Sequence, residues 1–425
     1  MFDVCLVYLP KPYLNNPDAQ APLGLMYLAS MLELHDYEVT IYNCAALDDD
    51  LAIAGLPDAK MYGITMTSME VLQANRFAKR IKDHRPDSVV VAGGPGTLAT
   101  EYIDFKYFDA VCMGAGEYVI LDMLNDMNNQ CLKTFYGNRP VCYLDALPYP
   151  ARHLLQDSQG GDIFAYNKKY AAGESTIILS SRGCPCQCAF CTAPALNDKV
   201  RLREAGEVAA EIKHVRDNYG IRQFRFSDDM FMIDKKRVLA MCETIAPLNV
   251  YWRVSCRVKP LDSEMLSAMH DAGCKELSFG VESFDDDVLT GLKKGTTVAD
   301  NIRALELSHA CDFETRILMM IRTPFQTRKT IEYNKYYLSR LPYSIVACTA
   351  FVPIPGSDVW NNPDNYNIEI LDRDLDKYNF YMFNSNGRRP IDPIIKIKGR
   401  SIDEFHRESE EFRDWLEDQK KVNRG

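Results

Sequence analysis

A single short loop constrains this chain more than any other feature. From Ser181 the sequence reads SRGCPCQCAFC, so Cys184, Cys188 and Cys191 stand at C-x3-C-x2-C spacing with one further thiol, Cys186, between them. The preceding STIILS over 175–180 is a short apolar run that predicts a buried strand delivering the loop at its end. Three thiolates on one tight turn can hold three irons of a 4Fe-4S cubane and leave the fourth open to another ligand. A structural zinc or a four-cysteine cluster is the competing reading, although zinc sites usually draw on two separated pairs. Cys186 reads as a small bystander inside the loop.

The other cysteines are scattered. Fourteen in 425 residues would suggest a disulfide framework only in a small secreted chain, and MFDVCLVYLPKP has neither a basic start nor a cleavage site, so a reducing cytoplasm is expected. No uninterrupted apolar stretch of about 18 residues occurs, so no membrane span is expected. A formal net charge of −10 supplies no global basic field, which disfavours nucleic acid as a partner. Hydrophobic residues at 47% and charged residues at 25% fit a soluble enzyme.

Before the loop, strands are predicted at 2–8, 39–42, 61–65, 88–92 and 110–113, with helices over 22–35, 71–84 and 118–127. Such alternation implies a parallel, doubly wound sheet whose ligand sits beyond the carboxyl ends of the strands. Those ends carry Thr65, Thr67 and Ser68, then Gly93 and Gly94 within GGPGT, then Gly114, Gly116 and Glu117. Glycines admit a large flat ligand and hydroxyls can bind its polar edge, though glycine after a strand is also ordinary turn punctuation. After the loop, strands are predicted near 224–227, 250–255, 276–281, 316–320 and 345–350. With the cysteine strand these make six strand–helix units, and a partial barrel of this kind places chemistry at the carboxyl ends of its strands. Ser227, Asp228 and Asp229 end the second strand, Ser255 and Arg257 follow the third, and Glu282 and Ser283 end the fourth. Asp234 fits a helix cap better than a ligand contact.

Ser181, Arg182, Gly183, Pro185 and Phe190, set around the three cysteines, resemble the cluster loop of the radical S-adenosylmethionine superfamily. Residues 1 to 130, with PLGLMYLAS ahead of the three glycine and hydroxyl segments, resemble the cobalamin-binding domain that precedes many of its members. The resemblance implies an N-terminal Rossmann-like (flavodoxin-like) domain over 1–135, a linker over 136–173, a partial (β/α)6 barrel over 174–360 and a helical extension over 361–425. It implies a 4Fe-4S cluster on Cys184, Cys188 and Cys191, and S-adenosylmethionine contacted by Ser227, Asp228, Asp229, Ser255, Arg257, Glu282 and Ser283. Cobalamin would lie against Thr65, Thr67, Ser68, Gly93, Gly94, Gly114, Gly116 and Glu117. Because no Asp-x-His-x-x-Gly segment exists, and His35 and His84 read as surface residues, cobalamin would bind without a histidine ligand.

The implied activity is methylation of an unactivated carbon of a small metabolite through methylcobalamin and a 5′-deoxyadenosyl radical, with flavodoxin or ferredoxin as electron donor. Nonmethylating cyclisation, oxidation or rearrangement is the alternative, and a noncatalytic redox sensor is disfavoured by the open cluster site. FVPIPGSDVW over 351–360 resembles the end of the barrel in cobalamin-binding members. The turn IRTPFQT over 321–327 departs from the family's glycine-rich one, and Arg322 within it reads as a surface arginine more readily than as a partner for an anionic substrate.

Overall fold

Two successive runs of alternating strand and helix build the computed structural model, which describes residues 1–14, 17, 21–137, 139–155, 175–197, 199–383 and 393–422. The chain divides into two compact units, residues 1–177 with 201–207 and 214–223, and residues 178–200 with 208–213 and 224–425.

In the first unit β1 (Phe2–Tyr8), β2 (Val39–Asn43), β3 (Ala59–Thr65), β4 (Val89–Gly93), β5 (Ala110–Cys112) and β6 (Phe135–Tyr136) form a parallel sheet in the order β2-β1-β3-β4-β5-β6. Val4 to Val7 of β1 are completely buried, as a strand covered on both faces requires. The helix Val71–His84 turns Val71, Ala74, Phe77, Ala78 and Ile81 inward at helical spacing. Strand order reverses between β1 and β3, which opens a crevice at the carboxyl edge. The sequence reading lacked β6, whose two residues carry no readable period, and the helix Asp49–Ala54, whose start Asp48 caps by accepting from the amides of Asp50 and Leu51.

The segment read as a linker is packed where it is described. Arg152 is almost wholly buried and donates to Thr176 Oγ1 and the Ile177 carbonyl, each at 2.9 Å, and Arg203 donates to Asp145 at 2.9 Å. Residues 156–173 of that expected linker lie outside the described residues.

The second sheet is a six-stranded open barrel in the order β14-β13-β12-β11-β10-β7. Its strands are β7 (Ser175–Ile178), β10 (Gln223–Phe226), β11 (Tyr251–Cys256), β12 (Cys274–Glu282), β13 (Glu314–Ile321) and β14 (Ile345–Ala350), and the pairs from β11 to β14 are parallel. Buried and half-exposed residues alternate strictly along β11 and β13, so one face is closed and the other open. A two-stranded ribbon, β8 (Ser181–Arg182) with β9 (Arg201–Leu202), brackets the cysteine loop.

Beyond residue 360 the helical extension also carries an antiparallel ribbon, in which β15 (Ile368–Ile370) pairs with β16 (Ile395–Ile397). Its main element is the helix Ile402–Val422, which buries Phe405, Phe412 and Leu416. Among the described residues no helix is long and apolar enough to cross a membrane.

Candidate functional site

The cysteine loop hangs from one buried carboxylate. Asp228, beyond the end of β10 and only 7% exposed, accepts from the Ser180 amide at 2.7 Å, from the Ser180 hydroxyl, and from the Ser181 hydroxyl at 2.7 Å. Burial pushes this carboxyl up from its ordinary range, and the Ser180 and Ser181 bonds and the nearby Arg237 charge pull the other way. Arg237 donates to both the carbonyl and the hydroxyl of Ser180 at 2.8 Å. Asp229, the next residue, accepts from the Gly183 amide at 2.8 Å. Two adjacent carboxylates thus fix both ends of Ser180–Gly183, immediately before the first cysteine. Gly183 adopts φ +96°, and a Cβ there would come within 2.7 Å of the Lys199 carbonyl oxygen, so only glycine fits the turn.

All four loop cysteines are partly exposed thiols. Cys184 and Cys186 share a hydrogen bond, which lowers the Cys186 pKa, with Arg257 and Lys294 adding to the effect against burial. Cys191 accepts from the Ala193 amide at 3.4 Å, and Cys188 accepts from Arg257 Nη1 at 3.3 Å. Among the described residues no three His, Cys, Asp or Glu side chains are gathered so that they could hold one metal ion. A donor set of three thiols on one short loop is the set a cubane with one open iron takes.

Arg257 extends from beyond β11, and its Nη2 donates to the Lys294 carbonyl. Lys294, which the sequence reading passed over, is 5% exposed; its ammonium donates to Glu282 Oε1 at 2.7 Å and lies 5.7 Å from the centre of the Phe190 ring inside the cysteine loop. The register of β12 shifts between Gly280 and Glu282, and Glu282 takes φ +65°. A Cβ on Gly280 would come within 2.6 Å of Glu282 Oε1 and 2.8 Å of Lys294 Nζ, so the glycine makes room for the ion pair.

The sequence-derived contacts to S-adenosylmethionine therefore differ in availability. Asp228 has its oxygens engaged by Ser180 and Ser181, whereas exposed Asp229 uses only Oδ2 on the loop. Ser227 is exposed and Ser255 half-buried, while the buried Ser283 hydroxyl has no partner. An orphaned hydroxyl beyond β12, and a free carboxylate oxygen and an exposed serine beyond β10, all at strand ends of one sheet, fit a polar nucleoside ligand.

The second candidate region is the carboxyl edge of the first sheet. Gly94 has φ +86°, and a Cβ there would meet Thr65 Oγ1 at 2.7 Å and the Met66 carbonyl oxygen at 2.9 Å. The Gly96 amide donates to that same carbonyl at 2.8 Å, locking the loops after β3 and β4 back to back. A Cβ on Gly93 would enter open space, and Thr65, Gly93, Gly94, Gly114 and Gly116 are half-buried with Thr67 exposed, which fits a broad ligand lying on the edge. Ser68 and Glu117 are buried and present little surface to such a ligand. Glu70 ties the β3 loop down by accepting from the Thr67 amide at 2.8 Å and from Lys11 and Tyr13.

Arg322 is not the surface residue expected. It is 5% exposed, takes φ +61°, donates to Glu410 Oε1 at 2.6 Å and lies 5.1 Å from the Tyr381 ring. Its charge is used inside the fold, against a helix the local sequence around it could not reveal. Asp234 caps its helix as read, accepting from the Arg237 amide at 2.9 Å.

With this geometry established, comparison with known proteins is decisive. The B12 binding domain family matches residues 18–124 and the Radical SAM superfamily matches residues 178–333. The chain is a cobalamin-binding radical S-adenosylmethionine enzyme. Its cofactors are a 4Fe-4S cluster, S-adenosylmethionine and cobalamin. It is 27% identical to an uncharacterised methyltransferase of Pyrococcus horikoshii, over 89% of this chain and 83% of that one. It is 26% identical to the anaerobic magnesium-protoporphyrin IX monomethyl ester cyclase of Rubrivivax gelatinosus, over 84% and 68% respectively. In fold it is similar to the radical S-adenosylmethionine methyltransferase TsrM of Kitasatospora setae, with TM-score 0.66, 16% identity, and coverage of 84% of this chain and 77% of that one.

Two substitutions test these placements. Asp228→Ala leaves an amide and two hydroxyls without their acceptor and is expected to cost about 2–4 kcal/mol; denaturant unfolding and iron content should both fall, while Asp228→Asn, which keeps oxygen and shape, should lose less of each. Gly94→Ala forces a side chain into left-handed backbone and into the β3 loop, so a loss of about 1–3 kcal/mol and weaker retention of cobalamin are expected. Unchanged cobalamin absorbance after gel filtration would contradict the latter.

Proposed function

We propose that this enzyme transfers a methyl group to an unactivated carbon of a small metabolite. The observation that carries the reading is the loop of three partly exposed thiols held at a barrel strand end, in a chain that also has a glycine-built edge suited to cobalamin. The methyltransferase relative from Pyrococcus horikoshii supports the choice of reaction. When bound, the cofactors supply one-electron cleavage of S-adenosylmethionine and a carrier for the methyl group, so the protein's work is placement.

In this reading Cys184, Cys188 and Cys191 hold the cluster and Cys186 stands by. Asp229, with an oxygen to spare, accepts from the ammonium of S-adenosylmethionine, and Asp228 positions the loop behind it. Ser227, Ser255, Glu282 and Ser283 bind its remaining polar groups, Glu282 being oriented by Lys294. Thr65, Thr67, Gly93, Gly94, Gly114 and Gly116 would hold cobalamin, which would supply the methyl carrier. A flavodoxin or ferredoxin supplies the electron. Nonmethylating chemistry is the second reading, favoured by the likeness to the cyclase of Rubrivivax gelatinosus.

Two measurements decide. Anaerobic incubation of the reconstituted protein with a reductant, S-adenosylmethionine and cobalamin should yield 5′-deoxyadenosine together with cobalamin-dependent S-adenosylhomocysteine by mass spectrometry. 5′-Deoxyadenosine alone would favour the nonmethylating reading. Replacing Cys184, Cys188 and Cys191 together by Ala should abolish cluster absorbance, whereas Cys186→Ala should preserve it; a cluster lost with Cys186 would overturn the ligand set.

A further inference from the structure

We propose that Arg257 is a positioning residue for the cluster's electron chemistry: its guanidinium, braced on the Lys294 backbone, donates to Cys188 and holds the cluster's reduction potential up. The proposal rests on the reading that Cys184, Cys188 and Cys191 are the ligands.

The family resemblance places Arg257 among the contacts to S-adenosylmethionine, where a guanidinium would suit its carboxylate. The geometry points elsewhere. Nη1 donates to Cys188 Sγ at 3.3 Å, and Nη2 donates to the Lys294 carbonyl, so the fork is engaged by the loop and its support. Both contacts act together, since the second fixes the plane of the guanidinium and thereby aims the first. Lys294 is itself held by its bond to Glu282, in the space the missing Cβ of Gly280 leaves, and its ammonium sits over Phe190 of the same loop.

Reduction adds a negative charge to a cluster already carrying three thiolates. An N–H bond to a ligating sulfur, and a positive charge beside it, favour the more electron-rich state, so they raise the potential and ease electron entry. Arg257 supplies both at one atom. Lys294 adds charge that reaches Cys186 and Cys191.

The test is an EPR-monitored potentiometric titration of the full chain, reconstituted anaerobically with iron and sulfide, without S-adenosylmethionine. Arg257→Gln should shift the midpoint to more negative potential at unchanged iron content, and Arg257→Lys, which keeps charge without the fork, should fall between. Arg253→Gln, which removes a barrel arginine bonded to Glu276 at 2.8 Å, should leave the midpoint in place. An unchanged midpoint in loaded Arg257→Gln, with weaker binding of S-adenosylmethionine in equilibrium dialysis, would overturn the proposal and return Arg257 to the carboxylate role. Should Arg257→Gln fail to take up iron, the Arg257→Lys midpoint decides: a wild-type value overturns the proposal. Wild-type protein without any cluster signal would instead sink the ligand assignment, and this proposal with it.

Discussion

One buried carboxylate governs the site. Asp228 is surrounded by hydroxyls and one amide, and its stability there depends on Ser180 and Ser181 turning their donors inward. Desolvation penalises the charge, and three hydrogen bonds with Arg237 nearby offset it. The result is a rigid joint between the end of β10 and the start of the cysteine loop. Without it, three thiols on a glycine- and proline-containing turn would sample many arrangements, and the entropy of ordering them would fall on cluster binding. With it, the loop is held in one geometry before iron arrives.

Much of this was legible in the residues. The helix at 71–84 and the strands of both sheets show the periods that burial on one or both faces imposes, and the C-x3-C-x2-C spacing carries its own chemistry. What escaped has a common cause. β6 and the ribbon of β15 and β16 are two or three residues long, too short for a period. Arg322 read as solvent-facing and Lys294 drew no reading, because isolated long cations usually face solvent, and only their distant partners, Glu410 and Glu282, reveal otherwise. Likewise the sequence shows two neighbouring aspartates after β10 but not which keeps an oxygen free, since that depends on Ser180, 48 residues away.

Local rules are broken where the site is built. Glu282 occupies left-handed backbone, the register of β12 slips beside it, and Gly280 leaves a gap that any side chain would fill. Each of these weakens a strand that an uninterrupted β12 would make stronger, and such departures gather where geometry serves function.

The Lys294–Glu282 pair shows what the departures achieve. A buried ion pair is a poor source of stability, because desolving two charges consumes most of what their attraction returns, and apolar residues of equal volume often do as well. Its worth therefore lies in direction. Glu282 anchors one side of the ammonium, Phe190 of the cysteine loop faces it, and the Lys294 backbone carries Arg257. A bulged strand end thereby sets two cations against a thiol loop, where three thiolates and an incoming electron concentrate negative charge.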